Sequence, residues 1–146
     1  MNINTISRVL IIFTLILTCF SLVPAFSDNS AADQKPSDVY LAYLKSAQSA
    51  DSFDDITIYW AGWMSESFDR GSDEQKKARL ERLKKSAANK NNIKVISTEK
   101  SGEFWIINLS SVYPDGQKMK GQVKMIRENG NLLIEEEMWT ADFSDE

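Results

Sequence analysis

Apolar residues follow three kinds of spacing along this chain, and each predicts a different kind of element. Val9 to Val23 is an apolar run of 15 residues interrupted only by Thr14, Thr18 and Ser21. From Ser37 onward the spacing turns helical. Tyr40, Leu44 and Ala47 recur at i, i+4 and i+7 with Val39 and Tyr43 beside them, Ser37 is placed to cap, and a helix is predicted over 38–50. Ser52 with Asp55 three residues on resembles a capping box, and Phe53, Ile56, Trp60, Trp63 and Met64 predict a second helix over 53–65. The β-branched patch Ile56-Thr57-Ile58 leans toward strand instead. Ser72 and Gln75 form a further capping box ahead of the apolar stripe Leu80, Leu83 and Ala87, with Glu81 and Lys85 spaced as an i,i+4 ion pair.

After Ile93 the spacing becomes alternating. Lys100-Ser101-Gly102, Pro114-Asp115-Gly116 and Asn129-Gly130 are turn signals, Asn-Gly being the strongest for a hairpin. They divide the segment into strands near 93–99, 103–113, 117–128 and 131–140. The turns also fix a register. Met125 should face Ile134, Val123 should face Glu136, and Gly121 should face Met138. Trp105 should face Met125, Ile107 should face Val123, and Leu109 should face Gly121. Val95 should face Ile107, and Ile93 should face Leu109. One face then collects Ile93, Val95, Trp105, Ile107, Leu109, Val123, Met125, Ile134 and Met138. Lys124 should lie opposite Glu135 on the other face, and Gln122 opposite Glu137.

Two features depart from a plain one-sided sheet. Phe104, Ile126 and Leu133 form an apolar row on the outer face, with Ile96 and Ile106 nearby, which suggests cover by the N-terminal segment or by a second copy in a homodimer. Glu136 points inward beside Val123 and Ile107, where a carboxylate needs a partner. Its functional reading is a base or ligand anchor. Its structural reading is a bond to a Tyr, Trp or Arg from the helices, or a slip within Glu135-Glu136-Glu137.

The architecture predicted is α+β, three N-terminal helices packed on a curved four-stranded antiparallel meander. Its parts are a secretory signal over 1–27, a flexible lead-in over 28–36 and one domain over 37–146. Arg8, the short apolar core, and Ala25 and Ser27 before a cut at Asp28 carry the signal. The apolar run is short for a membrane span, which needs roughly 20 residues. Thr18 fits poorly before a lipidated Cys19. Cleavage removes the one cysteine and Arg8, leaving 16 basic and 21 acidic residues, net −5, and there is no histidine. The expected location is periplasmic or secreted, with no disulfide, no nucleic-acid partner and no membrane contact once the signal is gone.

Without His or Cys in the mature chain, the usual nucleophilic triads and zinc sites are excluded. No Gly-rich phosphate loop is present. Asp51-Ser-Phe-Asp54-Asp55 lacks the glycine and distal Glu of a calcium loop. No metal or cofactor is expected.

The segments SDVYLAYLKSA and FDDITIYWAGWMS, followed by four strands, resemble the nuclear-transport-factor-2-like superfamily of cone-shaped α+β domains, with its SnoaL-like and ketosteroid-isomerase-like members. The resemblance covers roughly residues 37–140 and rests on element order, so no catalytic residue is carried over. It implies a cone open to small ligands, and dimers through the sheet that would cover Phe104 and Ile126. The function expected is a non-catalytic exported module holding a small apolar ligand or a partner protein in the cone, with Trp60, Trp63, Trp105, Glu136 and Met138 as lining. One alternative is an isomerase or lyase with Glu136 as base and Tyr59 or Tyr43 as donor. The other is an inhibitor or immunity-type protein acting through the charged third helix and the acidic tail, Asp142 to Glu146.

Overall fold

The computed structural model describes residues 34–143. The signal expected over 1–27 and most of the lead-in lie outside the described residues. Among the described residues, four helices precede four strands: α1 Pro36–Ser49, α2 Asp54–Thr57, α3 Gly62–Asp69, α4 Asp73–Asn89, β1 Asn91–Ser101, β2 Phe104–Val112, β3 Lys118–Glu128 and β4 Asn131–Ala141. The strands form one antiparallel sheet in the order β1-β2-β3-β4. The α+β class and the antiparallel meander are as predicted.

Helix α1 starts two residues before the predicted start because Pro36, not Asp38, opens it. Proline suits the first helical position, where its missing N–H has no intrahelical acceptor and its φ is already helical. The helix buries Tyr40, Tyr43, Leu44 and Ala47. In α4 both halves of the capping box form, Ser72 with Gln75, and Leu80 and Ala87 face inward. The expected Glu81–Lys85 pair is replaced by Glu81–Lys84 at 3.9 Å.

The single helix predicted over 53–65 is two short ones, separated by Ile58–Ala61. Ile134 N donates to Tyr59 O at 2.7 Å, and Ala61 N donates to Ile134 O at 2.8 Å. The break therefore gives the outer edge of β4 a partner at one residue, and exposed sheet edges are otherwise left with unpaired backbone groups. The strand leaning of Ile56-Thr57-Ile58 is not realised: Ile56 and Thr57 are helical in α2 and Ile58 caps it.

The Asn129-Gly130 turn has both residues at positive φ, 49° and 86°, as a two-residue I′ hairpin requires. The pairings Met125–Ile134, Trp105–Met125, Ile107–Val123 and Leu109–Gly121 are all present. Two registers differ. On β1, the turn falls at Gly102–Glu103, with Ser101 opposite Phe104, so Ile107 faces Thr98 and Leu109 faces Val95. Two irregularities along β1 follow, and Val95 and Ile96 stand 40% and 65% exposed on this edge strand.

On β4, one extra residue, Glu135, is inserted between the Met125–Ile134 and Lys124–Glu136 pairs. A β-bulge of this kind bends the strand, and it reverses which side chains face inward beyond it. Val123 faces Glu137 rather than Glu136, and Gly121 faces Trp139 rather than Met138.

The core is nearly filled. Tyr40, Ile56, Ile107, Val123, Met125 and Ile134 have no exposed surface, and full burial of such side chains stabilises by ~1.5–3 kcal/mol each. Aromatic rings connect α1 to α3: Tyr43 lies 6.3 Å from Trp60, and Trp60 lies 4.5 Å from Phe68.

Candidate functional site

The one carboxylate that the sheet turns inward beyond the bulge is Glu137. Three elements converge on it. From α1, Tyr40 donates its hydroxyl to Glu137 Oε1 at 2.8 Å. From two residues further along β4, Trp139 Nε1 donates to the same oxygen at 2.7 Å. Lys90, the C-cap of α4, places its ammonium in direct contact with it. Their side chains are nearly sealed, Lys90 6% and Glu137 15% exposed. Lys90 Nζ also lies 5.3 Å above the Trp139 ring, so the cation has both an anion and a π face.

Trp139 can lie there because its cross-strand partner is Gly121. A Cβ at that position would come within 2.8 Å of three atoms of the indole ring. The glycine thus lets the ring lie flat on β3 and aims its N–H at Glu137.

Beside this cluster is a cavity of about 200 Å³ lined by Tyr43, Leu83, Ser86, Ala87, Lys90, Glu137 and Trp139. Its walls are apolar at Leu83 and Ala87 and polar at Tyr43, Ser86, Lys90 and Glu137. Tyr40 and Tyr43 are both pushed well above the ordinary tyrosine range, first by burial and then by the negative charge of Glu137. Both hydroxyls therefore stay protonated donors. All three hydrogen bonds to Glu137 fall on Oε1.

The residues predicted from sequence are dispersed. Glu136 is exposed on the outer face, opposite Lys124, because of the bulge. Met138 is half exposed on that same face. Trp60 is sealed in the core, its indole N–H reaching no acceptor. Trp63, expected inside, is 58% exposed on α3, since the helix break at Trp60 rotates it away from the core. Trp105 packs half-buried against the core, with Lys100 Nζ 5.8 Å from its ring. Tyr59 bonds Ser46 at 3.2 Å. Of the named candidates, Tyr43 alone lines the cavity. Glu137, Trp139, Lys90 and Ser86 were missed. The inward carboxylate expected at Glu136 is Glu137, and of its two hydrogen-bond donors Tyr40 comes from a helix, as expected, and Trp139 from β4.

The outer face carries a ladder in which Asn108 Nδ2 donates to Ser97 Oγ at 2.9 Å and Gln122 Nε2 donates to Asn108 Oδ1 at 3.1 Å. Lys124 pairs with Glu135 at 3.0 Å, although its backbone partner is Glu136. The row Phe104, Ile126, Leu133 is in register and half-buried, with Lys124 Nζ 3.7 Å above the Phe104 ring. No group of three or more Asp, Glu, Cys or His among the described residues could hold a metal ion. No helix among them is long and apolar enough to cross a membrane.

No family model and no curated protein matches the chain. Solved structures resemble it distantly. A SEC-C-motif protein of Rhodopseudomonas palustris is 12% identical over 76% of this chain and 89% of its own, with a TM-score of 0.48. A nuclear-transport-factor-2-like protein of unknown function from Shewanella baltica is 9% identical over 75% of this chain and 92% of its own, TM-score 0.46. A nuclear-transport-factor-2-like protein of Campylobacter jejuni is 13% identical over 70% of this chain and 99% of its own, TM-score 0.45. Helices followed by an antiparallel four-stranded meander make the described residues an α+β domain.

Proposed function

We propose that this protein is an exported, non-catalytic binding module that holds a small ligand in the cavity beside Glu137. The observation that carries the reading is the state of that carboxylate. A buried general base needs an uncompensated charge and a free approach to substrate. Glu137 is instead in contact with an ammonium and accepts two further hydrogen bonds. The isomerase or lyase alternative also loses its intended base, since Glu136 stands on the opposite face. What remains is a small pocket with a hydroxyl from Tyr43, a hydroxyl from Ser86 and an apolar wall from Leu83 and Ala87. That lining, which also includes Lys90, Glu137 and Trp139, suits a compact molecule that joins polar groups to a short apolar part. Export rests on the segment over 1–27, and pairing of two copies through Phe104, Ile126 and Leu133 rests on their row.

Native mass spectrometry of protein purified from its own host checks the central reading. A bound mass is expected in the wild type, reduced in Tyr43→Phe and absent in Ser86→Leu, which fills the cavity. A clean ligand-free mass, together with no fragment that shifts the Trp139 indole resonance, would refute it. Turnover abolished by Glu137→Gln would favour an enzyme instead. Ile126→Lys should halve the solution mass if two copies pair through the sheet.

A further inference from the structure

A second concavity lies on the far side of the helices, between α2 and α3. It measures about 450 Å³ and is lined by Phe53, Asp54, Thr57, Ile58, Ser65, Glu66, Phe68 and Asp69. Its floor is aromatic: Phe53 and Phe68 lie 6.0 Å apart, and Phe68 stacks on buried Trp60. Ile58 stands on its rim 68% exposed, and the same side chain borders a neighbouring groove of about 450 Å³ beside α1 and the start of β4. Trp63, one turn before Glu66 on α3, adds a second large exposed apolar group at 58%. Single exposed apolar residues are ordinary, but an aromatic-floored groove bordered by two of them is a surface that a partner can bury.

The charges of the groove narrow the partner. Every charged residue lining it is acidic. Asp69 is already paired with Lys76 at 2.6 Å. Asp54 and Glu66 have no ion-pair partner among the described residues, while neighbouring Asp55 is turned back to accept from the Asp51 and Ser52 amides. Two free carboxylates over an apolar floor match a segment that alternates bulky apolar and basic side chains. We propose that this groove docks a cationic, amphipathic segment of a partner protein, the apolar side chains entering over Phe53 and Phe68 and the basic ones meeting Asp54 and Glu66. The surface is separate from the Glu137 cavity and from the outer sheet face, so it stands independently of the function proposed above.

The test uses the full domain and three fluorescent synthetic peptides of one length: a Leu–Lys amphipathic helix, the same with Glu for Lys, and the same with Ser for Leu. Polarisation should show binding of the Leu–Lys peptide only. Asp54→Asn with Glu66→Gln should weaken it roughly tenfold, and 0.5 M salt should weaken it similarly, as expected for two exposed pairs. Ile58→Ser, a change at a mostly exposed side chain that leaves the fold intact by circular dichroism, should weaken it at least as much. Equal binding of the Glu peptide, or no change in the double variant, would overturn the charge argument. No binding of the Leu–Lys peptide at millimolar protein would overturn the proposal. So would self-association that Ile58→Ser abolishes, since the occupant would then be a second copy.

Discussion

Removing Lys90 should expose how much of this fold depends on one ion pair. Lys90→Met keeps the side-chain stem but leaves Glu137 facing a nearly sealed site without a cation. Breaking one side of a fully buried pair costs ~3–5 kcal/mol. Glu137 retains 15% exposure and its bonds from Tyr40 and Trp139, so the cost here should be smaller, about 2 kcal/mol. Glu137→Gln keeps an acceptor for Tyr40 and Trp139 but strands the Lys90 ammonium against the indole, and should also cost about 2 kcal/mol. The double variant removes both charges and should lie within about 1 kcal/mol of the wild type. The coupling energy is then roughly 3 kcal/mol, the upper end for contacting residues. Urea unfolding at pH 7 reads all four corners of the cycle, and each single variant should lose roughly 10 °C in melting temperature. Single variants within 0.5 kcal/mol of the wild type, or a double variant equal to the sum of the singles, would show that the pair is not formed in solution.

Three further outcomes test the same geometry. Glu136→Gln should change stability by less than about 0.5 kcal/mol, as an exposed site does; a loss matching that of Glu137→Gln would place the β4 register one residue off. Gly121→Ala should cost about 2 kcal/mol, because the new methyl overlaps the Trp139 ring, and should red-shift indole emission as the ring leaves its bond to Glu137; an unshifted spectrum at full stability would refute the stacking. Tyr40 and Tyr43 ionise far less readily folded than unfolded, so the unfolded chain releases their protons first as pH rises. Their stabilisation is therefore complete below about pH 10 and declines above it, by up to ~2.7 kcal/mol per pH unit for two groups, which urea midpoints between pH 8 and 11.5 would read against tyrosinate absorbance.

The hairpin chemistry was the most legible part of the chain. Asn129-Gly130 pinned Met125 to Ile134, and Pro114-Asp115-Gly116 pinned Trp105, Ile107 and Leu109 to their partners, because turn type fixes register at short range. Register was lost where polarity contrast was lost. Glu135, Glu136 and Glu137 are identical, so a one-residue insertion among them leaves no trace in the alternation, and the phase error passed on to Met138 and Trp139. On β1, Lys100, Ser101, Gly102 and Glu103 are all turn-compatible, and nothing distinguishes a two-residue loop from a three-residue one. Helix 53–65 had the right spacing, but spacing cannot weigh the free edge of β4, whose Ile134 takes Tyr59 and Ala61 out of the helix.

Lys90 was illegible for a different reason. It follows a helix whose exposed face is already crowded with lysines, and no local pattern separates it from them. Only the tertiary arrangement does so, since α4 ends where the bulged half of β4 turns Glu137 inward. The bulge therefore has two consequences that belong together. It gives the outer face Glu135 as a partner for Lys124, and it gives the interior a carboxylate that needs a cation. The same chain paired without a bulge would set Glu136 opposite Val123 and Met138, rather than an indole, opposite Gly121. The Gly121–Trp139 stack makes physical sense only in the bulged register, where a bare backbone is needed beneath a ring. That glycine, in a strand otherwise rich in long side chains, was the one sequence signal from which the bulge could have been inferred.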